Sequence, residues 1–78
     1  MNAWTTEEYM LGKNGQTLLL ECEILSTDGP RLPVEYPRWR VVDWDDSEEV
    51  VTKYFHGETA EADAYRLFND LAIAMVYG

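Results

Sequence analysis

Seventy-eight residues, 46% of them hydrophobic and 13% aromatic, make one folded domain near the lower size limit and exclude a disordered acidic tail. Fifteen acidic residues against six basic ones give a formal charge of −9. That charge argues against direct nucleic-acid contact, which needs a basic footprint, and against an anionic membrane surface.

The chain starts "MNAWTTEEYM", with no basic segment and no apolar stretch of a secretory leader, and its longest apolar runs are too short for a bilayer. A cytoplasmic location is the expectation. Cys22 is the only cysteine, so no intrachain disulfide and no cysteine-based metal site is expected.

The first element is a strand near residues 5–11. It is followed by "GKNGQ", whose Asn14-Gly15 pair is a two-residue hairpin signal because both positions tolerate positive φ. The second strand, near 16–25, reads "QTLLLECEIL". Leu18, Leu20, Cys22 and Ile24 share one face, with Thr17, Leu19, Glu21, Glu23 and Leu25 on the other. Cys22 is most simply a small buried apolar residue in this pattern. "STDGPRLPVEYP" then breaks the alternation, and its spaced prolines read as a stiff extended connection.

The third strand, near 38–44, is "RWRVVDW". Trp39, Val41 and Asp43 fall on one side; Arg38, Arg40, Val42 and Trp44 fall on the other. A fourth strand near 50–56 follows about five polar residues, which suits an antiparallel hairpin. Its Val51, Lys53 and Phe55 alternate with Val50, Thr52, Tyr54 and His56. The final element is a helix near 59–76. Thr59 is its N-cap, Glu61 and Asp63 occupy its first turn, and Ala60, Ala64, Leu67, Phe68, Leu71, Ala74 and Met75 form its apolar stripe.

The expected fold is α+β: one domain, residues 1–78, with a three- to four-stranded antiparallel meander and a C-terminal helix packed on one face. A single helix leaves the other sheet face to solvent or to a partner. Leu19, Leu25 and Trp44 fall on that second face, making it a candidate binding or dimer surface.

"VVDWDDSEEVV", residues 41–51, places five carboxylates within seven residues: Asp43, Asp45, Asp46, Glu48 and Glu49. As a calcium loop it fails. Counted from Asp43, position six is Glu48 where glycine is needed, and position twelve is Tyr54 where glutamate is needed. His56 is the lone imidazole, with no serine nucleophile nearby and only Cys22 as a thiol, so no catalytic constellation is marked. Neither an enzyme nor a cofactor is expected.

In size, acidity and lack of catalytic motif the chain resembles the small acidic inhibitor proteins of phages and mobile elements, including anti-CRISPR proteins and other DNA mimics. The resemblance implies a non-enzymatic protein that occupies a basic surface of a host nucleic-acid-binding complex. The partner-binding candidates, read from the residues themselves, are Asp43, Asp45, Asp46, Glu48 and Glu49 for electrostatic steering, with Trp39 and Trp44 as anchors. Two alternatives stand beside this reading. One is a structural or assembly subunit, monomer or homodimer, that docks through its open sheet face; the other is a cation-binding domain at the acidic turn.

Overall fold

The computed structural model describes residues 3–12, 15–24, 36–45 and 48–77. Four strands, β1 (Ala3–Leu11), β2 (Thr17–Ile24), β3 (Trp39–Asp45) and β4 (Glu48–Phe55), precede one helix, α1 (Ala60–Tyr77). The strands form a single antiparallel sheet in the order β1-β2-β3-β4, the expected meander. Asp46, Leu25 and the centre of the proline-rich connection lie outside the described residues.

The helix covers one face. Leu18, Leu20, Trp39, Val41, Ala60, Ala64 and Phe68 form the buried cluster, flanked by Met10, Cys22, Phe55, Tyr65, Leu67, Leu71, Ala72 and Met75. The small Ala60 and Ala64 let the first two helical turns approach the sheet, where the bulky Trp39 takes the space. Each fully buried Leu or Val side chain contributes about 1.5–3 kcal/mol relative to exposure. The stripe matches its expected spacing except at one residue: Ala74 is exposed and Ala72 packs inward in its place.

The helix start follows from local chemistry. Gly57, at φ 95°, takes a left-handed turn that side chains resist, and its carbonyl accepts from Ala60 N–H at 3.2 Å. Thr59 O accepts from Asp63 N–H at 2.9 Å, opening the helical ladder. The Thr59 hydroxyl bonds the Asp63 carboxylate at 3.0 Å, so this side chain tethers an acidic first-turn residue.

Between β1 and β2, Gly12 N–H donates to Gln16 O at 2.7 Å and Gly15 takes φ 81°; Asn14, the first residue of the expected Asn-Gly turn, lies outside the described residues. Two expectations need correction. The acidic segment between β3 and β4 is not a five-residue turn. Pairing continues through Asp43↔Val50, Trp44↔Glu49 and Asp45↔Glu48, so only two residues separate the strands. Finally, the strict alternation of β4 fails. A bulge at Thr52, between the Val41↔Lys53 and Val42↔Val51 pairs, resets its faces, so Val50 shares a face with Phe55. A matching bulge at Glu7 in β1 turns Glu8 and Met10 toward the helix and leaves Tyr9 and Leu11 on the open side.

Candidate functional site

The register separates the residues that the sequence groups at the acidic segment. Asp43 pairs with Leu18, a core residue, so it lies on the helix side, where it accepts from Gln16 Nε2 at 3.4 Å. Asp45 and Glu48, directly opposite each other, share that parity. Trp44 and Glu49 pair on the open side. The steering set therefore does not form one patch: it wraps the tip of a hairpin and divides between two faces. Among the described residues, Asp45, Glu48 and Glu49 make no ion pair. Among the described residues, no group of three or more His, Cys, Asp or Glu side chains is placed to hold a metal.

Trp39 is not an exposed anchor. Its parity with Val41 turns it toward the helix, where it is 8% exposed and packs at 5.7 Å and 51° against the Tyr65 ring. Trp44 is half-buried on the opposite face and remains an anchor candidate.

The open face has an organised centre that sequence alone did not reveal. Trp4 reaches across the sheet and lies under two guanidinium groups, Arg40 at 4.2 Å and Arg38 at 5.6 Å, with the Tyr54 ring 6.0 Å away. Arg40 Nε donates to Glu21 at 2.7 Å, and Arg38 donates to Glu23 from Nη2 at 2.7 Å and Nε at 3.2 Å. The Glu23 side chain is almost fully buried and the Arg38 backbone N–H also donates to it. Burial works against the Arg40 cation, but its contacts with Glu21 and Tyr54 outweigh that and hold it more firmly protonated. Glu21 and Glu23 are thus paired internally and do not link one acidic region to the next. Around this centre, Tyr9, Leu11 and Tyr54 are exposed, while Val42 is completely buried although it lies outside the helix-side cluster.

A second acidic region lies where the helix begins. Glu7 and Glu61 act electrostatically on both Tyr65 and Cys22, and Glu8 acts on Tyr65. The Cys22 thiol is pushed above its ordinary value, first by burial and then by Glu7, Glu61 and Glu23. The Tyr65 hydroxyl rises for the same first reason, then through Glu8, Glu7 and Glu61. Cys22 therefore sits as a partly buried, reluctant acid on the core side, as its strand parity implied. Beside this region is a cleft of about 160 Å³ lined by Tyr36, Pro37, Trp39, Gly57, Glu58 and Glu61. Tyr36 and Glu58 carry no motif; Tyr36 lies three residues before Trp39, and the fold brings Glu58 to them.

No family model, no curated protein and no solved structure matches the chain. The functional reading therefore rests on the residues themselves. No helix among the described residues is long and apolar enough to cross a membrane.

Proposed function

We propose that the chain is a non-enzymatic interaction protein that docks by charge complementarity on a basic protein surface, with a nucleic-acid-binding complex as the partner. In this reading it acts as an inhibitor in the manner of anti-CRISPR proteins and DNA mimics. The observation that carries the proposal is the Asp45↔Glu48 pair. Two like charges face each other across a hairpin, with no described cation bridging them, in a place where opposite charges would stabilise the fold. An arrangement that opposes folding is explained when a cation of the partner completes it.

The placement of the remaining charge supports the same reading. The hairpin tip and the acidic helix start lie at opposite ends of β4, whose eight residues extend about 23 Å at ~3.3 Å per residue. That separation matches about seven nucleotide steps of a duplex strand at ~3.4 Å each.

The test is affinity capture from the host lysate with the tagged chain, eluted in rising salt. Recovery of a nucleic-acid-binding complex that duplex DNA displaces, and that is lost when Asp45, Glu48 and Glu49 become Asn or Gln, supports the proposal. Recovery only of a second copy, or of a salt-resistant partner indifferent to those substitutions, defeats it. That outcome would favour assembly through the open sheet face, for which the exposed Tyr9, Leu11 and Tyr54 are the supporting observation.

A further inference from the structure

The cleft at the start of α1 combines three features that recognise one kind of group. Its floor is Trp39, only 8% exposed and held by the Tyr65 ring at 5.7 Å, which offers an apolar surface. Its wall is the half-exposed Tyr36 ring with Pro37, and its rim carries the carboxylates of Glu58 and Glu61, both on exposed residues. The half-exposed Tyr36 ring can receive a cation over its face through its quadrupole, and the carboxylates supply the opposing charge. An anion is disfavoured here. The helix start carries the equivalent of only about half a positive charge, and Glu58, Glu61 and Asp63 outweigh it. Glu7 and Glu8 add negative potential from the β1 side, as their effect on Tyr65 records.

We infer that this cleft receives a single cationic side chain, a lysine ammonium or an arginine guanidinium, projecting from the partner's basic surface. The inference deepens the basic-partner reading and rests on it, since it names the group by which the partner is gripped. The cleft volume of about 160 Å³ admits one such side chain and not a folded element. The aliphatic stem would lie along Trp39 and Pro37, while the charged end meets Glu58 and Glu61. This division suits side chains with an apolar stem and a charged head. The cleft gives geometric selectivity that the open hairpin tip, with its carboxylates split between two faces, does not.

The test is an NMR titration of the ¹⁵N-labelled chain with N-acetyl-lysine methylamide, N-acetyl-arginine methylamide and the neutral N-acetyl-norleucine methylamide. Either cationic probe should shift the amides of Gly57, Glu58 and Glu61 and the Trp39 indole N–H, and norleucine should not; the stronger of the two cations identifies the side chain. Tyr36→Ala should weaken that binding about two- to fivefold, the factor an exposed cation–π contact gives. Glu58→Gln with Glu61→Gln should weaken it at least as much. All three residues are exposed, so these variants keep the core, and a retained amide spectrum verifies it. The inference is overturned if norleucine shifts the same signals equally, or if the cations shift only Asp45, Glu48 and Glu49. Failure of this idea is separable from failure of the broader one. A captured partner that survives the Glu58 and Glu61 changes but is lost on neutralising the hairpin removes the cleft and leaves the basic-partner reading. Cation binding in the cleft without any salt-sensitive partner does the reverse.

Discussion

The Asp45↔Glu48 pair offers a direct physical test, because its energy follows from the register. Residues directly opposite on antiparallel strands have Cβ atoms about 4.5–5.5 Å apart. At about 6 Å between carboxylates, Coulomb's law in water gives about 0.7 kcal/mol of repulsion. Screening with a Debye length of ~10 Å at 0.1 M reduces this to about 0.4 kcal/mol, and ~3 Å at 1 M leaves about 0.1 kcal/mol. Asp45→Asn or Glu48→Gln alone should therefore stabilise the domain by about 0.4 kcal/mol, or raise Tm by about 2–3 °C at 0.1 M salt. Once one charge is gone, the other has nothing to repel, so the double variant should gain no more than either single. The double-mutant cycle, read by thermal circular dichroism at 0.1 M and 1 M NaCl, isolates the pair from the general relief of net charge. Additive gains, or a coupling that persists unchanged at 1 M, would refute the facing-charge account. A variant that is more stable yet loses the salt-sensitive partner would show that the pair is kept for binding.

Three further outcomes follow from the core, the open face and the acidic helix start. Leu20→Ala removes a fully buried side chain between sheet and helix and should cost about 2.7–5 kcal/mol; in a domain this small, chemical denaturation should show a largely unfolded population in mild urea. Arg40→Met keeps the stem over Trp4 but leaves the half-buried Glu21 without its 2.7 Å partner, and should lower stability by about 1–3 kcal/mol, recovered in part by adding Glu21→Gln. Cys22 and Tyr65 are both acids whose values lie higher in the fold than their ordinary 9.0 and 10.0. Their stabilising effect is complete below those ordinary values and is lost as pH rises through the raised ones. Thermal stability should fall from about pH 9 upward, and Cys22→Ala should blunt the first part of the decline. A Tm that is level between pH 8 and 11 would contradict the burial of both groups.

Periodicity carried most of the fold. The helix was legible almost to the residue, 59–76 against Ala60–Tyr77, because Ala60, Ala64, Phe68, Leu71 and Met75 repeat at helical spacing over four turns. The strands were legible from alternation, but two one-residue bulges were not. An inserted residue leaves composition unchanged while reversing every face beyond it, as Thr52 does for β4 and Glu7 for β1. The candidate site was legible only in part. Strand parity already set Trp39 and Trp44 on opposite faces, so at most one could stand on the open side. The purely apolar row Leu18, Leu20, Cys22 marks the side that the helix must cover. Because Cys22 pairs with Trp39 and Leu20 with Val41, Trp39 follows them inward. The cleft was invisible to such reasoning, since Glu58 meets Tyr36 and Trp39 only through a contact between distant segments.

The pairing of Arg38 and Arg40 with Glu23 and Glu21 decides how any partner must be met. Two of the six cations sit in the middle of the open face and neutralise two of its carboxylates there. The centre is consequently a nearly neutral aromatic surface of Trp4, Tyr54, Tyr9 and Trp44; beside it on the same face lies Glu49 at the hairpin tip, while Asp45, Glu48 and the acidic helix start lie on the helix side. Apolar centre and charged rim are the usual anatomy of an interface, with rim charge governing encounter and the desolvated centre governing residence. Had the two arginines been absent, Glu21 and Glu23 would have made the centre itself acidic, and removing Glu23 from water beneath a partner would have been strongly unfavourable. Neutralising Glu48 and Glu49 should therefore slow association and flatten its salt dependence with little change in dissociation. Trp44→Ala should do the opposite, accelerating dissociation at an almost unaltered association rate, because the charge that steers and the surface that holds belong to different residues.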